Sequence, residues 1–240
     1  MKDRIPGNYQ YHALRKGHPI QRQWHRNKLN LLRHLRFLNE DDVVLDAGCG
    51  SGNILLEFAK EVRYIVGVDT NEECITFLRQ KIRDQHIQNA FARKLDLLEI
   101  RSLNLSFSKI IMSEVIEHLN EEYSAKLLTE LGEMITRDGE ILITTPNYRS
   151  FWSSIEILLD SSKLAPKLKD VQHVAKYDWR KLLEIAEQSQ YQVIDKGTLN
   201  WISPFISLIT PNLADKISYF EFSRVPFGNL LYVVLGRKIP

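Results

Sequence analysis

Apolar residues recur at helical spacing from Gln21 to Leu38, where Trp24, Leu31, Leu32, Leu35 and Leu38 alternate with Arg22, Arg26, Lys28, Arg33 and Arg36. This pattern predicts a basic amphipathic helix. After the polar turn Asn39–Asp42 the period changes. Val43–Leu45, Tyr64–Val68, Ala90–Lys94, Lys109–Met112 and Glu140–Thr144 are short, β-branched or apolar runs of strand length. Between them, residues 53–61, Glu72–Gln85 and Glu121–Ile135 read as helices, the second with Ile75, Leu78 and Ile82 on one face. A further helix over Asp178–Gln188 and strands at Gln192–Ile194 and Leu230–Leu235 follow. Strands alternating with helices at this rhythm predict an α/β fold whose sheet is mostly parallel, with helices on both faces. The stretches 150–176 and 198–227 break the rhythm with aromatic and Pro-containing text, and read as cap insertions around a substrate.

A chain of 240 residues with 44% apolar content supports one large core, so residues 1–240 read as one domain. Its parts are a helical extension over 1–38, a ligand-binding core over 39–149 and the two insertions. The net charge of +2 is unevenly spread, since residues 1–36 hold nine Lys or Arg against the single acid Asp3. A basic arm on an acidic body suits an anionic membrane surface or a phosphate-bearing partner, and equally a solvated helix. No signal peptide or membrane-spanning run is present, and Cys49 and Cys74 read as reduced thiols. A cytoplasmic protein is expected, with peripheral membrane contact left open.

The first strand runs into Asp46-Ala47-Gly48-Cys49-Gly50-Ser51-Gly52. In an open parallel sheet ligands bind beyond the carboxyl ends of the strands, and glycines there let backbone amides approach closely. Asp69 ends the second strand and can accept from both ribose hydroxyls. Asp96, after the third, suits an adenine amine. Three carboxylates around one glycine loop disfavour a pyrophosphate and favour a ligand bearing a sulfonium and an ammonium.

Val44–Gly52, Gly67–Asn71, Asp96 and Met112–Leu119 together resemble, in order and spacing, the successive motifs of class I S-adenosylmethionine-dependent methyltransferases. The match covers roughly residues 40–150 and is similar to the ubiquinone-pathway O-methyltransferases and the methyltransferase type 11 and 23 group. The resemblance implies a Rossmann-like seven-stranded sheet. It also implies S-adenosyl-L-methionine held by Asp46, Gly48, Cys49, Gly50 and Gly52 at its methionine end. Asp69 and Thr70 would meet the ribose, and Asp96, Leu97 and Met112 would complete the pocket.

After the fourth strand comes Ser113-Glu114-Val115-Ile116-Glu117-His118-Leu119. If this segment is helical, Glu114, Glu117 and His118 share a face. With His173 as a fourth ligand they form a candidate site for Mg²⁺ or another divalent cation. The string also resembles that of the small-RNA 3′-terminal 2′-O-methyltransferases, and in both groups it is associated with a metal at the substrate hydroxyl. Without a metal, His118 or His173, aided by Glu117, would be the catalytic base. The plain alternative is two carboxylates at a helix N-terminus beside a packed imidazole.

Methyl transfer is an in-line displacement that needs mainly alignment. The expected activity is O-methylation of a small or lipid-like hydroxylated acceptor. An RNA 3′-terminal 2′-O-methyltransferase and a non-catalytic cofactor-binding protein are the alternatives. Nucleic acid is the less favoured partner, because the body is acidic and no RNA-binding module is recognisable. Phe151, Trp152, Trp201, Phe205, Tyr219, Phe220 and Phe222 in the insertions suit an apolar acceptor, ordinary packing or a dimer interface.

Overall fold

The computed structural model describes residues 6–152 and 174–238. Seven strands form one sheet: β1 (Val43–Ala47), β2 (Tyr64–Asp69), β3 (Ala90–Lys94), β4 (Phe107–Ser113), β5 (Ile135–Pro146), β6 (Tyr191–Leu199) and β7 (Leu230–Arg237). Their order across the sheet is β3-β2-β1-β4-β5-β7-β6. The first five pair in parallel, while β7 runs antiparallel to both β5 and β6. This is the Rossmann-like, mostly parallel seven-stranded sheet expected above.

Because strand side chains alternate, β1 sends Leu45 and Ala47 to one face and Val44 to the other. The first face is covered by α5 (Glu121–Met134) and α6 (Trp179–Gln188), whose Leu127, Leu131, Leu182 and Ile185 meet Ile110, Met112 and Ile141. Across the sheet, α1 (Tyr9–Lys16), α2 (Pro19–His34), α3 (Asn53–Phe58), α4 (Glu72–Asp84) and α8 (Pro211–Arg224) bury Leu31, Leu55, Leu78 and Phe222 against Val44, Ile111 and Leu142. The one-turn helix α7 (Ser203–Ile206) lies between β6 and α8.

Several elements differ from the expectation. The basic helix begins earlier and stops at His34, because Pro19 is well tolerated at the first helical position. A separate helix, α1, precedes it. The strand expected over Glu140–Thr144 is longer, since β5 begins at Ile135 directly after α5 and takes in Asp138-Gly139. The insertion 198–227 is largely helical, whereas most of 150–176 lies outside the described residues.

Candidate functional site

The glycine loop is built by β1 and β2 together. The amides of Gly48 and Cys49 both donate to the Val68 carbonyl, at 2.8 and 2.9 Å, so the loop turns back over β2. Asp69 then fastens it, accepting from the Gly50 amide at 2.9 Å and the Asn71 amide at 2.8 Å. Gly50 has φ +51°, and a Cβ there would lie 2.0 Å from the Gln10 side chain of α1. Gly52, at φ +79°, opens α3 with Leu78 packed against it. Only glycine meets both demands cheaply at these positions.

A cavity of about 600 Å³ opens above this loop. Gly48, Asp69, Thr70, Asp96, Leu97, Glu114 and His118 all line it, so seven expected site residues meet there. Asp96 caps a short 3₁₀ turn through the Leu98 amide at 2.9 Å and accepts from the Tyr123 hydroxyl. Burial, and then the Asp96 contact, push the Tyr123 phenol up to about 12.

Other expected residues stand back from the cavity. The Cys49 thiol packs beneath Gly67 and the Met112 side chain is wholly in the core, so neither side chain lines the cavity. Gly50 and Gly52 shape the loop behind the wall. Asp46 is buried, with one oxygen, Oδ2, lacking a hydrogen-bond partner. Burial, reinforced by the nearby Asp69, lifts its carboxyl to about 7, against the lowering influence of the Leu55 amide.

Sequence reasoning missed Gln10, Leu95, Val115, Leu119, Asn120, Tyr123 and Val174, which complete the wall. Asn120 had a legible signal, since it is the N-cap of α5 and accepts from the Tyr123 amide at 2.7 Å. Gln10 had none, because its helix carries no clear apolar stripe.

The segment after β4 is not an α-helix. Glu114 has a left-handed backbone, φ +56°, and only Ile116–His118 form a 3₁₀ turn. The shared helical face is therefore corrected, and the three side chains diverge. Glu114 pairs with Lys28 of α2 and accepts from Trp24 Nε1 at 3.4 Å. Burial would raise its carboxyl, but the Lys28 charge, with His25 and both hydrogen bonds, overrules this and holds it down at about 2. Beside this pair the His25 imidazole is depressed to about 3, by burial first and the Lys28 charge second.

Glu117 points inward. It is buried, accepts from the Thr145 hydroxyl at 3.1 Å, and leaves Oε1 without a partner. Burial lifts it to about 7, against the pull of His118. His118 is exposed at the cavity wall. Among the described residues no three His, Cys, Asp or Glu side chains converge on a metal site, and His173 lies outside those residues. The carboxylates of Glu114 and Glu117 therefore do not fit the divalent-cation site expected for them.

The profile of the methyltransferase domain family matches residues 18–196, from the start of α2 into β6. The chain belongs to the class I S-adenosylmethionine-dependent methyltransferase family. The chain is similar to the 23S rRNA (uracil(1939)-C(5))-methyltransferase RlmD of Legionella pneumophila, 31% identical over 124 residues. Those residues are 46% of this chain and 28% of the relative, so the chain spans under a third of that protein's length. Among solved structures, an S-adenosylmethionine-dependent methyltransferase from Archaeoglobus fulgidus superposes with a TM-score of 0.64 at 19% identity, covering 95% of this chain and 98% of that one. The magnesium protoporphyrin IX methyltransferase of Synechocystis PCC 6803, with S-adenosylhomocysteine bound, gives 0.62 at 15%, covering 92% and 86%. These two likenesses establish the shared fold.

Proposed function

We propose that this family member transfers a methyl group from S-adenosylmethionine to an oxygen of a small or lipid-like hydroxylated acceptor, without a metal. The observation that carries the reading is one cavity walled by the ends of four adjacent strands: Gly48 after β1, Asp69 and Thr70 at β2, Asp96 and Leu97 after β3, Glu114 and His118 after β4. Its volume lies in the ordinary range for a small-molecule site.

The residues fit the cofactor. Asp46 offers a buried oxygen without a donor, Asp69 has acceptor capacity beyond its two loop amides, and Asp96 with Leu97 suits an adenine edge. S-Adenosylmethionine, when bound, supplies a methyl group activated on a sulfonium. The protein's own contribution is to align the acceptor and remove its proton. His118, at the wall nearest the end of β4, is the base in this reading, and the Lys28 ammonium supplies a fixed positive charge beside Glu114, where a hard cation had been expected. Burial raises the Cys49 thiol well above its usual range and the Cys74 thiol to about 12. Neither offers a thiolate for covalent attack on an acceptor.

A second reading, an RNA acceptor, draws on a neighbouring cleft of about 410 Å³ where Arg149, Lys176, Arg180 and Lys181 stand beside Tyr148, although Glu121, Asp178 and Glu184 share that cleft and Arg149 and Lys181 are paired with Asp178 and Glu121. Radiolabelled cofactor incubated separately with a lipid extract, a phenolic library and total RNA decides between them. Label in a hydroxylated small molecule, retained in EDTA and lost in His118→Ala, is the expected result. Label only in RNA rejects the acceptor class, and loss in EDTA rejects the metal-free route.

A further inference from the structure

We infer that the outer face of the α7–α8 cap is a docking surface for an anionic lipid bilayer, a role separate from methyl transfer and not dependent on it. The segment from Gly197 to Ala214 contains no charged residue, although much of it lies at the surface. Its polarity is inverted. Ser203 and Ser207 face inward, where Ser203 Oγ donates to Glu221 at 2.7 Å and accepts from Asn27 at 2.8 Å, and Ser207 Oγ donates to the Pro204 carbonyl at 2.6 Å. The outward positions are Ile202, Phe205, Leu208 and Ile209, the last two 55% and 79% exposed. Backbone bonds from Phe205, Leu208 and Ile209 to carbonyls three residues back keep these side chains on one helical face. A surface turn that hides its hydroxyls and presents large apolar groups is built for an environment other than water.

The stripe continues along α8, where Leu213, Lys216, Phe220 and Arg224 follow at i, i+3 and i+4 spacing and are all exposed. Charge here is sorted by direction. The two acids of residues 197–224 turn inward: Asp215 accepts from Gln23, Asn30 and Arg26 of α2, and Glu221 caps the start of α7 through three backbone amides and Ser203. The two bases, Lys216 and Arg224, turn outward, and the Arg224 guanidinium lies 5.6 Å from the Phe220 ring centre. An apolar ridge bearing only positive charge complements anionic headgroups. A second copy of the same face would bring those cations against one another, which disfavours self-association as the occupant.

The basic arm does not itself provide this surface. Trp24 faces Glu114 and Trp152, and Lys28 is committed to Glu114. The arm instead anchors the cap from behind, with Asn27 bonded to Asn200 and Ser203.

Co-sedimentation of the full chain with vesicles of phosphatidylcholine alone, and of phosphatidylcholine mixed equally with phosphatidylglycerol, tests this. Pelleting is expected only with the anionic vesicles, weakening as salt is added. Leu208→Asp combined with Ile209→Asp, both solvent-exposed changes, lowers the bound fraction at least about tenfold. Lys216→Glu with Arg224→Glu gives a comparable loss on anionic vesicles. Thermal melts of both double variants establish that they fold. Undiminished pelleting by either variant overturns the inference, as does equal pelleting on both vesicle types. So does a dimer, seen by light scattering, that Leu208→Asp and Ile209→Asp dissociate. Cofactor titration of the same variants is expected to match wild type, so a failure of membrane binding leaves the methyl-transfer reading untouched.

Discussion

The two halves of the cavity are made by different means. On the side of β1, β2 and β3, residues close in sequence to the strand ends do the work: Asp69 reaches amides only two and nineteen residues away. On the side of β4, the wall residue Glu114 is held from behind by Lys28 and Trp24, about 90 residues upstream, with His25 beside them, and it has a left-handed backbone there. The first half is a local construction on a rigid sheet. The second exists only once α2 has docked, so the geometry at the reacting end depends on tertiary packing.

The largest effect expected from disturbing this contrast is at Lys28. Lys28→Met leaves Glu114, only 22% exposed, without its cation and should destabilise the fold by about 3 kcal/mol in denaturant titrations. Adding Glu114→Gln should restore most of that loss, and a double variant no more stable than the single one would show that the two groups are not coupled.

A second test uses pH, because the acids of the site have opposite signs. Glu117 is raised from 4.5 to about 7, so the folded state holds the extra proton in between, and stability falls as pH rises through that window. The fall is about 3 kcal/mol for this group. Asp46 behaves in the same sense, rising from 3.8 to about 7. Glu114, lowered to about 2, contributes stability that is present above 4.5 and lost as pH drops toward 2. Melting Glu117→Gln between pH 4 and 8 should therefore show a shallower decline than wild type, and an unchanged slope would remove Glu117 as its source.

On the local side the effects are smaller. Asp69→Ala should weaken S-adenosylmethionine binding by about 1.5 to 3 kcal/mol in calorimetry, through loss of a charged hydrogen-bonding group. Asp96→Asn, at an exposed position that keeps one acceptor oxygen, should weaken binding by about 1 kcal/mol or less in the same measurement. A greater loss at Asp96 than at Asp69 would invert the assignment of the two ends of the pocket.

The same contrast explains what the sequence could reveal. Gly48, Asp69, Asp96 and the strands before them were legible because spacing along the chain fixes their placement once the sheet is parallel. The fate of Glu114 was not. Its four-residue spacing from His118 suggested a helix, and nothing local announced that a lysine 86 residues earlier would claim its carboxylate. The inward turn of Glu117 was likewise hidden, because it is set by Thr145 on β5. The helix α1 falls within the helical extension expected over 1–38, but Gln10 carried no signal of its own, since Tyr9–Lys16 buries only Ala13 and Leu14.

The position of β7 bears on how the molecule comes together. This strand, latest of the seven in the chain, is hydrogen-bonded on both sides, to β5 through Glu140–Pro146 and to β6 through Tyr191–Leu199. During synthesis β1 to β5 can join as they emerge, whereas β6 has no ladder to enter until Leu230–Arg237 has been made. Until then β5 presents an open edge, the kind of surface on which chains mispair. Closure of the sheet thus awaits a non-local event, the wedge-like insertion of β7 between β5 and β6, and pairings so distant in sequence form slowly.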